Sequence, residues 1–185
     1  MRIIAGKWRG RALIAPQGAA TRPTADRVRQ ALFDMLLHAP WGGRERVEGA
    51  AVLDAFAGTG ALGLEALSRG AAHSTFIEHD RAALAALHAN ITACRALDRS
   101  TILAIDALAA PPGEAASLVF LDPPYRRELV PHTLARLRAA GRIAPGALLI
   151  AETARAEPLP TSEPLLAERN HGAARLSIWR ASSSF

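Results

Sequence analysis

The sequence predicts an α/β protein whose single sheet is parallel except near one edge. Short apolar runs alternate with helix-like patterns between residues 50 and 151, which is typical of βα units with parallel strands. One of these runs, Leu118–Leu121, is apolar throughout, as in a strand that is buried on both faces. Near the end, two alternating segments flank Asn170, His171 and Gly172, which predicts a terminal antiparallel hairpin.

The individual elements follow from local patterns. Residues 1–22 alternate apolar and basic residues around glycines and Pro16, which predicts a short hairpin or arm. Thr24 is a candidate N-cap for a helix over residues 25–38, where apolar side chains recur at helical spacing. Further helices are predicted over residues 62–69, 81–97 and 129–140. The predicted strands are 51–55, 74–78, 101–105, 118–121, 147–151, 165–169 and 174–180.

Length and composition indicate one domain. The chain has 185 residues, of which 50% are hydrophobic, enough for a substantial core. We predict a single domain over residues 1–185, made of a basic arm over 1–22, a helical region over 23–46 and an α/β core over 47–185. The single cysteine, Cys94, excludes an intrachain disulfide and is typical of a reducing compartment.

The sequence shows no pattern typical of secretion, membrane insertion or metal binding. The charged N-terminus is not followed by the apolar segment of a signal peptide, and no apolar run is long enough to cross a membrane. The six histidines show no spacing typical of metal ligands. We therefore expect a cytoplasmic protein that contacts no membrane and holds no metal ion.

The positive charge is concentrated at the start of the chain. The protein has a formal net charge of +5, and its first 46 residues hold nine basic and three acidic side chains. The first 22 residues contain no acidic side chain. This asymmetry favours a polyanionic partner, above all a nucleic acid, over the alternative of a composition that is merely rich in alanine and arginine.

A glycine-rich loop follows the first predicted strand of the core. In AFAGTGALG, residues 55–63, Gly58, Gly60 and Gly63 form the pattern G-x-G-x-x-G between a strand and a helix. Glycines allow such a loop to turn sharply and to approach a ligand closely. The pattern is compatible with a nicotinamide dinucleotide, with another adenosine compound, or with a tight turn that binds nothing.

Three acidic residues stand at the ends of three successive predicted strands. Asp54, Glu78 and Asp106 should therefore lie along one crevice at the carboxyl edge of the sheet. A carboxylate at position 54 would repel a pyrophosphate, whereas S-adenosylmethionine (SAM) carries an ammonium and a sulfonium, so Asp54 favours SAM over NAD. Glu78 can accept hydrogen bonds from ribose hydroxyls. Asp106 either binds the adenine amino group or caps a helix.

The motif VFLDPPY, residues 119–125, indicates the chemistry. Pro123 and Pro124 cannot lie within a central strand, so they form a stiff turn past its end. The Asp122 carboxylate and the Pro123 carbonyl can accept the two hydrogens of a nucleobase amino group and direct its lone pair at a methyl donor. Tyr125 can stack on the base, which must be unpaired or flipped out. A rigid turn without chemistry is the alternative.

Four segments together resemble one family of enzymes. They are MRIIAGKWRGR at the start, RPTADRVRQALFDML at residues 22–36, LDAFAGTGALGLEALSRGA at 53–71, and VFLDPPY. The sequence resembles the RsmD-like bacterial methyltransferases, which use SAM to methylate the N2 amino group of a guanine in 16S ribosomal RNA. The resemblance implies a Rossmann-like class I methyltransferase with a mostly parallel seven-stranded sheet and helices on both faces. It also implies guanine 966 as the target.

The resemblance assigns roles to the residues that match the motifs of this family. The candidate SAM contacts, from the strand ends, the glycine loop and the start of the first helix, are Asp54, Phe56, Gly58, Thr59, Gly60, Glu78, Asp106, Thr24 and Arg27. The candidate catalytic residues are Asp122, Pro123, Pro124 and Tyr125. A helix N-terminus suits the SAM carboxylate, but a capped surface helix would explain Thr24 and Arg27 equally well.

The expected partner is 16S ribosomal RNA, with a small-subunit assembly particle favoured as substrate and a monomer favoured as the enzyme. The candidate RNA contacts are Lys7, Trp8, Arg9, Arg11, Arg22, Arg126 and Arg127. Trp8 either stacks on RNA or packs the arm against the body of the protein. Arg126 and Arg127 either reach phosphates at the mouth of the pocket or are simply solvated.

Four other functions are compatible with part of the pattern. A DNA adenine-N6 methyltransferase shares the DPPY chemistry, but such enzymes usually carry a target-recognition domain for which this chain has no room. A protein-glutamine methyltransferase would normally have asparagine at position 122. An NAD dehydrogenase would leave Asp54 and the DPPY motif without a role. A basic RNA-binding module with a vestigial SAM site is the non-enzyme alternative.

Overall fold

The protein is built on one seven-stranded sheet, and the computed structural model describes residues 1–16, 23–124, 129–157, 161 and 163–182. The strands are β1 (Ala51–Asp54), β2 (His73–Glu78), β3 (Ser100–Ala104), β4 (Ala116–Leu121), β5 (Ile143–Ala154), β6 (Leu165–His171) and β7 (Ala174–Arg180). Their order across the sheet is β3-β2-β1-β4-β5-β7-β6. Strand β7 runs in the direction opposite to the other six strands. This confirms the predicted α/β class and the terminal hairpin.

Four α-helices of the described residues accompany the sheet. They are α1 (Pro23–His38), α2 (Ala61–Ser68), α3 (Arg81–Ala93) and α4 (Leu129–Ala139). Helix α1 begins at Pro23, so Thr24 lies within the first turn and not at the predicted N-cap position. Helix α3 ends at Ala93, earlier than predicted, because Arg95 has a φ of 52°, which the right-handed helix cannot contain.

Strand β5 is longer than the predicted 147–151 at both ends. Its last pair with β4 is Leu121 with Ala151, but β5 continues because β7 remains paired with it as far as Ala154. At its start, the register shifts beside Pro145, which has no N–H for a ladder hydrogen bond and is tolerated at such an irregularity. The extension therefore depends on an antiparallel partner that is distant in the sequence.

Alternation of side chains along the strands divides the core into two clusters. On β4, Leu118 and Phe120 belong to one cluster, whereas Val119 and Leu121 belong to the other. The first cluster includes side chains of α1, α2, α3 and the N-terminal segment, and the second includes side chains of α4. Helices therefore cover both faces, as a parallel sheet requires.

The first residues form the N-terminal hairpin, residues 1–13, which packs on α2. Pairing between Arg2 and Ala12 closes it, and Ile3 is fully buried. Gly6 has a φ of 80° and lies so close to Ser68 that a Cβ atom at position 6 would collide with the Ser68 carbonyl. The hairpin predicted from the sequence can therefore dock on α2 only with glycine at this position.

A buried carboxylate holds the N-terminal hairpin in place. Glu65 of α2 is fully buried, and its two oxygens accept hydrogen bonds from the backbone N–H of Ile4 at 2.8 Å and of Ala5 at 3.0 Å. Arg69 Nε donates to one of these oxygens at 2.7 Å, and Arg29 Nε of α1 lies 3.6 Å from the other. One side chain thus joins the hairpin, α1 and α2.

Asn90 of α3 connects the end of the hairpin to the glycine loop. Its side chain is buried, and its Oδ1 accepts a hydrogen bond from the Ile14 N–H at 2.8 Å. Its Nδ2 donates to the carbonyls of Ile14 and Thr59, both at 2.9 Å. One side of the glycine loop is therefore fixed by α3 and by the first residues of the chain.

Two features are absent from the residues that the structure describes. Among them, no helix combines the length and the apolar character needed to cross a bilayer. Nor do three or more histidine, cysteine, aspartate or glutamate side chains come together there in a way that could hold a metal ion. The expectations of no membrane contact and no metal stay predictions.

Candidate active site

An open cleft of about 470 Å³ lies at the carboxyl edge of the sheet. Its walls include Phe56 and Gly58 of the glycine loop, and Asp122, Pro123 and Pro124 of the turn after β4. The two motifs that the sequence analysis assigned to a methyl donor and to catalysis therefore line one cavity. They meet because neighbouring parallel strands end at the same edge of a sheet.

The charged side chains that line the cleft are mainly acidic. Glu78, Asp80, Asp122 and Glu152 line it, together with His79. Neither lysine nor arginine is among its lining residues in the described part of the chain. Carboxylates brought together in this way attract a cation and repel a pyrophosphate. The cleft therefore suits a cationic methyl donor better than an anionic dinucleotide.

The glycine loop borders the cleft through Gly58. Gly58 has a φ of 53°, and no atom lies within 4 Å of the position that its Cβ would occupy. Glycine is needed at position 63 for a different reason, which is close packing. A Cβ there would collide with the ring of Phe76 and push α2 away from β2. Gly60 lies similarly close to Leu87. Gly58 is therefore the glycine whose backbone is open to a ligand.

Glu78, at the end of β2, is held by backbone N–H groups. Its Oε2 accepts from Gly58 at 2.8 Å, and its Oε1 accepts from His79 at 2.7 Å and from Asp80 at 2.8 Å. The carboxylate thus fastens the glycine loop to the end of β2 while it lines the cleft. A carboxylate has about four acceptor positions, so Glu78 keeps capacity for the hydroxyls of a ribose.

Asp54, at the end of β1, is buried and does not line the cleft. Only 1% of its surface is exposed, and its Oδ2 accepts a hydrogen bond from the Gly63 N–H at 3.0 Å. Its Oδ1 has no hydrogen-bond partner among the described residues. Burial raises the pKa of Asp54 to about 7; the Gly63 hydrogen bond lowers it in part, and the Glu78 carboxylate raises it further. An unpaired buried acceptor of this kind fits a cationic group of a cofactor.

Asp122 directly follows β4 and opens onto the cleft. Burial by the surrounding protein raises the pKa of Asp122 well above its ordinary value, although solvent reaches the carboxyl from the cleft. The carboxylates of Glu152 and Asp54 raise this pKa further. Pro123 is buried beside it, whereas Pro124 is exposed. The raised pKa makes Asp122 a stronger proton acceptor than an ordinary aspartate when it is ionised.

Besides Asp54, the predicted SAM contacts Thr59, Gly60, Asp106 and Arg27 do not line the cleft. Asp106 is exposed and caps the short helix Ala107–Ala109, where it accepts a hydrogen bond from the Leu108 N–H at 2.8 Å. The structure thus has the helix cap that was the alternative, and the adenine contact stays a prediction. The Thr59 hydroxyl lies 3.5 Å from the sulfur of Met1, on the side of the loop that faces the N-terminal hairpin.

Some predicted site residues lie outside the described part of the chain. These are Arg22, Tyr125, Arg126 and Arg127, together with the side chain of Thr24. Their roles stay predictions. Conversely, the cleft is also lined by His79, Asp80 and Glu152, which were not predicted from the sequence as site residues. The signal for Glu152 was present, since it follows the apolar run LLIA just as Asp54 follows AVL.

A second concavity, which we call the arginine groove, has a volume of about 680 Å³ and lies between the N-terminal hairpin and α1. The charged residues that line it are Arg2, Arg9, Arg27, Arg69, Asp26 and Asp34. Arg27 is exposed there and does not line the cleft. The structure therefore places Arg27 beside the basic hairpin, and its contact with SAM stays a prediction.

Trp8 packs the N-terminal hairpin against the body of the protein. Its side chain is 7% exposed, its backbone N–H donates to Ser68 Oγ at 3.0 Å, and the Arg99 guanidinium lies 5.3 Å from its ring centroid. This burial favours the packing alternative for Trp8, and stacking on RNA stays a prediction. Lys7 and Arg11 line a smaller depression beside it and remain exposed.

Comparisons with known proteins agree with this geometry. The sequence profile of a family described as Conserved hypothetical protein 95 matches residues 1–180. The chain is 43% identical over 163 residues to Ribosomal RNA small subunit methyltransferase D of Escherichia coli strain K12, covering 87% of this chain and 78% of that protein. The relative of the same name from Haemophilus influenzae is 36% identical over 179 residues, covering 93% and 89%. The solved structure of the Escherichia coli protein yhhF has a TM-score of 0.86 and 38% identity, covering 100% of this chain and 99% of that one.

The fold, with its glycine loop and its Asp-Pro-Pro turn at one edge of the sheet, defines a Rossmann-like methyltransferase. Such a protein needs a methyl donor. The chain belongs to the family described as Conserved hypothetical protein 95, and its relatives confirm the resemblance to the RsmD-like enzymes.

Proposed function

We propose that the protein transfers a methyl group from SAM to the N2 amino group of a guanine in 16S ribosomal RNA. The observation that carries this proposal is the meeting of Gly58, Asp122 and Pro123 in one acidic cleft. The cleft offers a cationic methyl donor a place beside acceptors that suit an amino group. The names of the curated relatives support small-subunit ribosomal RNA as the substrate.

The glycine loop would bind the donor. Gly58 leaves open space beside its backbone, Glu78 offers carboxylate oxygens to the ribose, and Asp54 offers an unpaired oxygen to a cationic group. When bound, SAM supplies an electrophilic methyl group on a sulfonium. The acidic lining stabilises positive charge in the cleft and disfavours the pyrophosphate of NAD.

Asp122 and the Pro123 carbonyl would hold the amino group of the target guanine. Both groups accept hydrogen bonds from the amino group, one from each of its hydrogens. These bonds turn the nitrogen lone pair out of the base plane, towards the methyl group. SAM, when bound, would supply the methyl group to this nitrogen, which would then release one proton. The Asp122 carboxylate accepts that proton, which its raised pKa favours, and then passes the proton to solvent.

The arginine groove would bind the RNA backbone. Arg2, Arg9 and Arg27 are exposed there, and guanidinium groups bind phosphates in two-pronged hydrogen bonds. A paired base could not reach the cleft, so the target guanine must be unpaired or extruded, with Tyr125 as its stacking partner. We further propose that the enzyme acts in the cytoplasm, as a monomer, on an assembling small subunit.

The test follows labelled methyl groups from SAM into immature small-subunit particles. Asp122→Ala should slow transfer by about 100- to 1,000-fold, because the amino group loses its fixed acceptor. SAM affinity, measured by calorimetry, should change little, since the donor is held by the glycine loop and Glu78. Asp98→Ala, at an exposed aspartate outside the cleft, is the matched control and should retain full activity.

Two outcomes would contradict the proposal. Transfer at the wild-type rate by the Asp122→Ala protein would exclude the geometry given for the amino group. Label recovered on adenine N6 in DNA, and none on guanine N2 in RNA, would exclude the proposed substrate.

A further inference from the structure

Strand β5 brings a second carboxylate to the position beside the Asp-Pro-Pro turn. Leu121 of β4 pairs with Ala151 of β5, so Asp122, which follows β4, and Glu152, which continues β5, come next to each other at the edge of the sheet. Strand β4 ends at this point, whereas β5 continues because Glu152 is paired with Leu176 of β7. Glu152 is thus held on a regular strand next to a turn that has left the sheet.

Glu152 and Asp122 line the same cleft. Glu152 is half-buried, and it lies close enough to Asp122 to raise the pKa of that carboxyl. Because a carboxylate has about four acceptor positions, Glu152 can accept a hydrogen bond from a ligand while it keeps its contacts with the protein. The cleft therefore presents two neighbouring acceptors where the base enters.

Two neighbouring acceptors match the edge of guanine and not that of adenine. On guanine the N2 amino group and the N1–H are adjacent donors, whereas N1 of adenine is an acceptor that a carboxylate repels. A site built for a buried hydrogen bond rejects an analogue that lacks the donor, because its own polar group is then left unpaired.

We propose that Glu152 accepts the N1–H of the target guanine while Asp122 holds the N2 amino group, and that Glu152 thereby selects guanine. This inference rests on the proposed function, since it names the second contact of the same base. Glu152 neither gains nor loses a proton in the reaction. It orients the base and excludes those with an acceptor at N1.

The experiment uses 2-aminopurine, which keeps the amino group but has no hydrogen on N1. Small-subunit RNA carrying either guanine or 2-aminopurine at the mapped target position is assembled into particles and methylated by the full-length protein. The ratio of kcat/KM for the two bases is the measured quantity. The ratio reports recognition of N1–H together with O6, so the change of the ratio in a Glu152 variant isolates the N1 contact. The ratio is insensitive to the fraction of enzyme that is folded.

The wild-type protein should prefer guanine by about 10- to 100-fold, the usual range for one well-placed contact with a base edge. Glu152→Gln should bring the ratio closer to one, because its amide can donate to N1 of 2-aminopurine. Glu114→Gln, which removes the same charge at an exposed position outside the cleft lining, should keep the wild-type ratio.

An unchanged ratio in Glu152→Gln, even with both rates reduced, would assign Glu152 a structural role and overturn the inference. The proposed function would survive that result, because guanine would still be methylated. If the wild-type protein methylates neither base, the proposed function and the inference fail together.

Discussion

The cleft and the arginine groove are both concave, yet they are lined by side chains of opposite charge. The cleft carries Glu78, Asp80, Asp122 and Glu152 and has no lysine or arginine among its described lining residues. The groove carries four arginines against two aspartates. A net charge of +5 for the whole chain hides this separation. The contrast indicates that one surface suits a cation and the other suits a polyanion.

The two linings come from different parts of the architecture. The acidic side chains lie near or just past the carboxyl ends of strands, at one edge of the sheet. There the backbone N–H groups of Gly58 and Asp80 donate to the Glu78 carboxylate. The arginines come from the N-terminal hairpin, α1 and α2. The cleft therefore depends on the sheet, whereas the groove depends on the docking of the hairpin through Glu65.

Removal of the Glu65 carboxylate should break the groove and spare the cleft. Glu65→Ala leaves Arg29 and Arg69 without their buried anion and leaves two hairpin N–H groups unpaired. Breaking a buried ion pair in this way typically destabilises a protein by about 3–5 kcal/mol. We expect such a loss in the free energy of unfolding from urea titrations, with a marked loss of RNA affinity.

SAM affinity is the control measurement for Glu65→Ala, and Glu114→Ala is the control variant. SAM should bind the Glu65→Ala protein nearly as well as wild type at a temperature where the variant is folded. Equal losses of RNA and SAM affinity would show that the two regions are not independent.

The charge of Asp54 should make donor binding depend on pH. The pKa of about 7 means that Asp54 is largely protonated in the free protein below that pH, whereas a bound cation favours its ionised form. SAM affinity should therefore rise between pH 5 and pH 8, by up to about tenfold per unit below the pKa. Calorimetry across this range measures it. Asp54→Asn should reduce the dependence, and the Asp122 carboxyl, whose pKa is also raised, should account for the part that remains.

The same raised pKa has the opposite effect on the stability of the free protein. Because the folded state holds the proton of Asp54 more tightly than the unfolded state, its contribution is complete below about pH 4 and is lost as the pH rises through about 7. Asp54→Asn should remove this part of the pH dependence of urea unfolding. An Asp54→Asn protein with the wild-type profiles of both affinity and stability would show that Asp54 does not titrate as described.

Charge reversal in the groove should have the smallest effect of the three. Arg9→Glu should weaken RNA binding by about tenfold and reduce the slope of log affinity against log salt by roughly 0.7 for each single-strand phosphate that the protein no longer neutralises. Filter binding at several salt concentrations measures both quantities. Arg169→Glu, at an exposed arginine on β6, is the matched control. An identical fall in affinity in the two variants would indicate a general charge effect and no specific role for the groove.

Features of the site that depend on one strand and its neighbours could be predicted from the sequence. Asp54, Gly58, Glu78 and Asp122 each follow an apolar run, and parallel strands end at one edge, so their proximity follows from local patterns. Glu152 carried the same signal but had no motif around it. Its position beside Asp122 depends on the pairing of β5 with β7, which only the folded sheet reveals.

The positions of Trp8 and Arg27 could not be predicted in this way. Both depend on how the N-terminal hairpin docks, and its anchor, Glu65, lies about 60 residues away in the sequence. A basic segment with one tryptophan looks the same whether the ring faces solvent or the core. The burial of Trp8 beside Ser68 is decided by that long-range contact and by the absence of a side chain at Gly6.

The anchoring of the N-terminal hairpin has a consequence for how the chain matures on the ribosome. Translation produces the hairpin before its anchors, because the partners of Ile4 and Ile14 lie 61 and 76 residues further on. Until Glu65 has left the exit tunnel, the cationic hairpin has neither of these anchors, and the contact of Ile14 has to wait for Asn90. The hairpin can therefore acquire its native contacts only after α2 and α3 have been synthesised.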